Sequence, residues 1–165
     1  MKNAFRFVFL AVIVALGVWL WLILFPGPEK IIRKQLAKLA QTVSFSSNEG
    51  NLVRMAGAEN VGGFFSTNAE VNLEMPGREP AVFTGRAEVT QAALASRQAT
   101  GSLIVKLLDV KVTVAPDKQS AVVDLTVETT LADERDPIIE PMRSTFQKIA
   151  GHWLITRVET VRTLP

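Results

Sequence analysis

The sequence predicts an α+β domain preceded by a single transmembrane helix. Three observations indicate this architecture: an uninterrupted apolar run near the N-terminus, helical spacing of apolar residues after it, and strand-like alternation in the second half of the chain. Helices followed by consecutive strands are typical of α+β domains, in which the helices cover one face of the sheet. The predicted boundaries are a basic N-terminal tail at residues 1–6, a transmembrane helix at 7–25, a Pro-Gly-Pro break at 26–28 and the domain at 29–165.

The composition excludes several classes of protein. The 165 residues are 48% hydrophobic and include 18 Lys and Arg, 16 Asp and Glu, and no Cys. Lys2 and Arg6 are the only charged residues before Glu29, so the domain has no net charge. We therefore expect no nucleic-acid partner and no intrinsic disorder. Without Cys, the chain has neither a disulfide framework nor a thiolate site.

The apolar run at residues 7–25 reads FVFLAVIVALGVWLWLILF. As a helix it would span roughly 29 Å, which is close to the hydrocarbon thickness of a bilayer. Trp19 and Trp21 lie near its C-terminal end, where indole rings favour the headgroup region. A cleaved signal peptide is the alternative, but the run exceeds the usual apolar region of about 7–15 residues and no small-x-small site follows it. The sequence therefore predicts an uncleaved single-pass anchor.

The orientation of this anchor depends on the positive charges that flank it. Lys2 and Arg6 favour a cytoplasmic N-terminus, whereas the basic residues that follow the run favour the opposite arrangement. We predict the inner membrane with the domain outside the cytoplasm, because the later charges lie on a predicted helix of the domain. That basic helix is most simply a solvated surface, although contact with anionic headgroups is the functional interpretation. The predicted membrane-interface residues are Lys2, Arg6, Trp19, Trp21, Lys30, Arg33, Lys34 and Lys38.

The first half of the domain is predicted to be mainly helical. Pro28 suits the first turn of a helix that extends to about residue 43, with apolar residues at intervals of three and four. Ser46 and Glu49 have capping-box spacing, which predicts a second helix at about 48–60. The elements that follow are two short strands at about 64–75 and 80–83 and a third helix at about 86–99.

From residue 102 onward the pattern is that of β-strands. Apolar residues occupy odd positions up to Leu107 and even positions from Leu108, so we predict a β-bulge at this point. Pro141 places its strand at an edge or a bulge. Strands joined by short turns are antiparallel, so we predict a curved antiparallel sheet with three helices. The three strands that follow the bulged one are predicted at about 123–131, 138–149 and 153–163.

Three stretches together indicate a known fold. The first is FFSTNAEVNLEMPGREPAVFTGRAEVTQAAL, in which Gly85 opens the third helix; the second is the bent strand at 107–108; the third is the hairpin FQKIAGHWLITRVETV. Over about residues 29–164 the chain resembles the NTF2-like superfamily and, within it, the SnoaL-like group. The resemblance implies a cone in which a curved sheet is wrapped by helices and a pocket lies at the wide end. Members include enzymes, carriers and assembly subunits.

The catalytic patterns that the resemblance implies are incomplete in this sequence. The steroid-isomerase members use a carboxylate on the first strand, where this chain has Leu73, and a tyrosine, of which it has none. Cyclase and dehydratase members rely on Asp and His pairs, but the single histidine, His152, lies in a predicted turn. Asp109 is the acid or base candidate to test first, because a bulge can re-aim a side chain, although a surface role is simpler.

The remaining candidates are residues for the lining of a pocket. Phe65, Phe83 and Trp153 could join Leu73 there, although core packing is the simpler role of each aromatic residue. The acidic cluster at 133–136 lacks the spacing of a calcium loop. No phosphate loop, nucleophile elbow or zinc pair is present, so neither a metal nor a cofactor is expected.

We therefore expect a membrane-tethered NTF2-like domain without catalytic activity. It would bind an apolar small molecule or a protein partner, either a second copy of the chain or an envelope protein, because some envelope-assembly proteins share this layout. The alternative is a SnoaL-like enzyme of isomerase, cyclase or dehydratase type that acts on a hydrophobic substrate. An open cavity with a buried carboxylate would favour the enzyme, and an open, wholly apolar cavity would favour a lipid carrier.

Overall fold

The computed structural model describes residues 12–17, 27–74, 79–132 and 136–161. The order of helices and strands agrees with the prediction, and most element ends differ from it by a few residues. Residues 12–17 are helical. The other elements are α1 at Pro28–Val43, α2 at Asn51–Gly62, β1 at Phe65–Leu73, β2 at Ala81–Thr84, α3 at Gly85–Ala99, β3 at Leu103–Val114, β4 at Ser120–Leu131, β5 at Ile138–Ile149 and β6 at His152–Thr160.

The predicted anchor lies mostly outside the described residues. Lys2, Arg6, Trp19 and Trp21 all fall in the undescribed part, and only residues 12–17 of the apolar run are described. Within the described ranges, no helix is both long and apolar enough to cross a bilayer.

The six strands form one mixed sheet in the order β2-β1-β6-β5-β4-β3. All neighbouring pairs are antiparallel except β1 and β6, which are parallel. The predicted antiparallel sheet is therefore wrong at this pair. A short turn determines the relative direction only of strands that follow each other directly, whereas β1 and β6 are far apart in sequence and meet inside the sheet.

A β-bulge in β3 explains the change of apolar parity along that strand. The register between β3 and β4 shifts between Leu108 and Lys111, and Asp109 adopts a φ of 51°. Asp is one of the few non-glycine residues that tolerate this left-handed conformation. The bulge therefore lies slightly after the predicted position, and Leu108 is on the outer face of the sheet, 38% exposed.

Pro141 lies in a central strand and away from the register shift at Thr145 and Phe146, so its predicted position at an edge or a bulge is wrong. β5 pairs with both β4 and β6. Pro141 is opposite Thr126 of β4, and its carbonyl oxygen accepts a hydrogen bond from the backbone N–H of Val161, 2.9 Å away, just beyond the end of β6. A proline is tolerated here because its missing N–H falls at the end of the β5–β6 ladder.

The core lies between the helices and the inner face of the sheet, which is the face that α1 and α3 cover. At one end of β4 and β5 the inner side chains are fully buried: Val123 is 0% and Phe146 is 1% exposed. Toward the other end of the same strands, Val127 and Glu140 on the inner face are only half-buried. The inner face is therefore closed at one end and open at the other.

Candidate functional site

A cleft of about 280 Å³ occupies the open end of the inner face. The C-terminal end of α3 forms one wall with Ser96 and Thr100, and β4 and β5 form the floor. The apolar part of the lining consists of Leu73, Val127, Leu131, Ile138 and Met142. Its polar part consists of Ser96, Thr100, Thr129, Thr160 and the carboxylates of Glu74 and Glu140.

Glu140 reaches the cleft because of its position in β5. Side chains alternate between the two faces of a strand, so Glu140 shares the inner face with Ile138 and Met142. It is opposite Val127 of β4 and is half-buried. A carboxylate on the floor of the cleft can accept a hydrogen bond from a bound molecule or serve as a general base.

Glu74 reaches the same cleft from the end of β1. It follows the last residue of the strand, and its backbone N–H donates a hydrogen bond to Oγ1 of Thr160, 3.1 Å away. Glu74 is half-buried and also borders an adjoining depression of about 290 Å³ beside β2. Strict alternation no longer applies beyond the end of a strand, so Leu73 and Glu74 both line the cleft.

The predicted pocket residues occupy different places in the structure. Leu73 lines the cleft. Phe65 and Trp153 are 7% and 4% exposed and belong to the core, and Phe83 is half-buried against it. Asp109 is exposed and does not line the cleft. At the bulge it is Val110, not Asp109, whose side chain packs against the core.

The polar lining of the cleft was missed by the sequence prediction. A signal for Glu140 is present, because it has the same parity as Ile138, Met142 and the buried Phe146. Pro141 interrupts this pattern and, in the sequence alone, favours an edge strand or a bulge. For Glu74 no comparable signal exists, since its inward position depends on where β1 ends.

A buried arginine holds the helical wall of the cleft in place. Arg97 of α3 is 4% exposed, and its Nη1 donates a hydrogen bond to Oε2 of Glu49 at 2.7 Å. Its Nη2 donates to the carbonyl oxygen of Thr42 at the end of α1, and its guanidinium carbon lies 4.9 Å from the centre of the Phe45 ring. Arg97 directly follows Ser96, so these contacts fix the wall relative to α1 and the loop before α2.

The ion pair with Arg97 also replaces the predicted helix cap. The N-cap of α2 is Gly50, which makes no side-chain capping bond. Glu49 is directed to α3 instead, so the capping box predicted for Ser46 and Glu49 is wrong. A buried guanidinium is the stronger partner for a carboxylate than a backbone N–H that solvent can reach.

The other candidate sites lie outside the cleft. His152 is exposed at the start of β6. In the part of the chain that the structure describes, no group of His, Cys, Asp and Glu side chains could hold a metal ion. The four predicted interface residues on α1 are all exposed: Lys30, Arg33, Lys34 and Lys38.

Comparison with known proteins identifies the fold. An NTF2-like protein with a cystatin-like fold from Novosphingobium aromaticivorans superposes with a TM-score of 0.60 at 18% identity, covering 88% of this chain and 86% of that one. A proposed scytalone dehydratase from the same organism has a TM-score of 0.60 at 17% identity, covering 82% and 84%. A proposed aromatic ring hydroxylase, also from that organism, has a TM-score of 0.59 at 16% identity, covering 82% and 88%.

This chain has the NTF2-like fold. The predicted NTF2-like cone, with its curved sheet and helices, is thereby confirmed. No protein-family model matches the sequence, and no relative was found among curated proteins. At identities of 16–18% the similarity defines the NTF2-like fold and not an activity.

Proposed function

We propose that this chain is a membrane-tethered binding protein whose NTF2-like domain takes a small, largely apolar molecule into the cleft. The observation that supports this proposal is the open end of the inner face, where five aliphatic side chains line a cleft of about 280 Å³. This volume is close to the lower end of the ~300–1,000 Å³ typical of small-molecule sites. The ligand, or the part of it that enters the cleft, is therefore of modest size.

The polar side chains of the cleft favour a ligand that carries a polar group. Four hydroxyl groups and the carboxylate of Glu140 border the aliphatic surface. Hydroxyl groups donate and accept hydrogen bonds, and an ionised carboxylate only accepts them. A lipid carrier would need a wholly apolar cavity, so a ligand with an apolar body and a hydrogen-bond donor fits this cleft better. A second copy of the chain or an envelope protein is the other partner that the layout of anchor and domain suggests.

The ligand proposal is tested by substituting two adjacent residues by Trp, one that should block the cleft and one that serves as the control. Ile138 lines the cleft, whereas Ile139 is 55% exposed on the outer face of the same strand. Full-length protein, purified in mild detergent, is analysed by native mass spectrometry for co-purifying molecules. We expect wild type and Ile139→Trp to retain similar amounts of the ligand. Ile138→Trp should retain at least tenfold less, because the indole would fill the cleft.

Two outcomes of this experiment would contradict the proposal that the cleft binds a small molecule. Equal retention by the two Trp variants would place the ligand elsewhere, and recovery of a protein partner without any small molecule would favour an assembly role. Circular dichroism shows whether both variants are folded.

An enzyme of SnoaL-like type is the second candidate, and Glu140 is the observation that favours it. Glu140 is half-buried on the floor of the cleft beside Ile138 and Met142, which is a suitable place for a general acid or base. One similar structure is that of a proposed scytalone dehydratase. Conversion of the co-purified molecule by wild type, but not by Glu140→Gln, would establish this candidate instead of the binding role.

The tether is a separate part of the proposal and rests on the apolar run at residues 7–25. We expect the full chain to stay in the membrane fraction during alkaline carbonate extraction. In spheroplasts, added protease should digest the domain without lysis, because we place it outside the cytoplasm. Release by carbonate would exclude a spanning anchor, and digestion only after lysis would reverse the orientation.

A further inference from the structure

Helix α1 carries three lysines on the face opposite its buried side. Lys30, Lys34 and Lys38 are each exposed and follow one another at intervals of four residues. At a rise of about 1.5 Å per residue, they form a stripe about 12 Å long. This lysine stripe lies opposite Ile32 and Leu36, which are 0% and 3% exposed in the core. The stripe therefore faces directly away from the domain.

The charges of the lysine stripe have no counter-charge in the described protein. The only acidic residue of α1 is Glu29, and its Oε1 accepts a hydrogen bond from Nε of Arg33 at 2.9 Å. Nη1 of Arg33 also donates to the carbonyl oxygen of Val110, 2.8 Å away on β3. Arg33 is thus bound to the domain and is not part of the stripe. None of the three lysines forms an ion pair with a described carboxylate.

Unpaired lysines four residues apart repel each other, which costs helix stability unless another negative charge lies nearby. The chain itself indicates where that charge would come from. α1 begins at Pro28, three residues after the predicted anchor, and the Pro-Gly-Pro break at 26–28 allows the backbone to turn between an upright span and a helix that lies flat. If the predicted anchor spans the bilayer, a membrane surface lies next to α1 and can supply that charge.

We propose that the lysine stripe binds the anionic headgroups of the bilayer and holds α1 flat along the membrane surface. This inference rests on the proposed tether and adds to it the orientation of the domain. The buried face of α1 is opposite the stripe, so the core and the sheet lie on the far side of α1 from the lipid. Each basic residue near an anionic surface strengthens membrane contact roughly fivefold.

The chain contains no Cys, so single spin labels can be placed without removing native thiols. Gln41 is exposed and lies on the line of the stripe at the end of α1 away from the anchor. A label at Gln41→Cys therefore reports whether the whole helix lies flat. The matched control is Ile139→Cys on the outer face of β5, which is 55% exposed. The full chain is reconstituted in nanodiscs of phosphatidylcholine, with or without anionic phosphatidylglycerol.

The measurement is the access of each label to a water-soluble nickel relaxation agent. We expect phosphatidylglycerol to reduce the access at position 41 severalfold, and high salt or Lys30→Gln, Lys34→Gln and Lys38→Gln together to restore it. The label at position 139 should stay accessible throughout. The Gln variant keeps good helix formers, and circular dichroism verifies its fold.

Each other result overturns a defined part of the proposal. Equal access at position 41 in both lipid mixtures, in a chain that is retained in the discs, excludes the lysine stripe as a lipid contact but leaves the tether intact. Protection that high salt and the Gln variant do not change excludes headgroup binding as its cause. A chain that is not retained in the discs refutes the tether, and the orientation proposed for α1 fails with it.

Discussion

Replacing Arg97 by Met should destabilise the domain by about 3–5 kcal/mol. The Arg97 side chain is 4% exposed and that of Glu49 is 19% exposed, so the pair is largely withdrawn from water. Removing the guanidinium would leave the Glu49 carboxylate without its counter-charge and the Thr42 carbonyl oxygen without its donor. The penalty for such a half-removed buried pair exceeds the net contribution of the pair itself.

The packing around Arg97 supports a specific role for this side chain. A Cβ atom added to Gly57 of α2 would lie 2.7 Å from Cζ of Arg97, so the guanidinium occupies the space that a side chain at position 57 would need. The guanidinium thus joins three parts of the chain: the end of α1, the loop before α2 and the wall of the cleft. Since Ser96 on that wall is the preceding residue, Arg97→Met should also lower ligand retention.

An exposed ion pair provides the matched control for Arg97. Nε of Arg143 lies 2.7 Å from Oδ1 of Asp124, with side chains that are 46% and 43% exposed. Arg143→Met should therefore cost only about 0–1 kcal/mol. Urea unfolding in mild detergent, followed by the fluorescence of Trp153 after Trp19 and Trp21 are replaced by Phe, measures both variants. Equal free energies of unfolding for Arg97→Met and Arg143→Met would contradict the structural role of Arg97.

Local patterns in the sequence were sufficient for most helices and strands. Apolar residues at intervals of three and four predicted α1. The change of parity in β3 predicted a bulge within a few residues of the observed one. The parallel pairing of β1 and β6 was not predictable in this way, because it joins strands far apart in the chain. Glu49 shows the same limit, since its partner Arg97 is 48 residues away, whereas the neighbouring sequence indicates only a local helix cap.

The residues of the cleft are less predictable from the sequence than the fold is. The resemblance alone names Leu73, which occupies the position of the isomerase carboxylate; in the structure Leu73 is one of the residues that line the cleft. Glu140 follows from strand parity only if β5 is recognised as a central strand, which Pro141 argued against. The inward position of Glu74 depends on the exact end of β1 and on its bond to Thr160, and neither is a property of the local sequence.

Replacing Phe146 by Ala should cost about 3–5 kcal/mol in the free energy of unfolding. Phe146 is 1% exposed and lies on the inner face of β5, between Ala121 of β4 and Ile155 of β6. Ala121 has only a methyl group opposite the ring, so we expect removal of the ring to leave a cavity. Phe146→Leu should cost less, because Leu keeps much of the buried volume.

Replacing Phe146 should affect ligand retention less than replacing Arg97. Glu140 lies six residues before Phe146 on the same strand, about 20 Å away at 3.3 Å per residue. Under conditions in which Phe146→Ala is still folded, it should retain the ligand as wild type does, whereas Arg97→Met should lose ligand while folded.

The control for stability is Ile139→Ala, an exposed change in β5, which should cost less than about 1 kcal/mol in the free energy of unfolding. If Phe146→Ala were no less stable than Ile139→Ala, the closed end would not be a packed core. If it lost ligand while folded, the closed and open ends of the cone would not be independent.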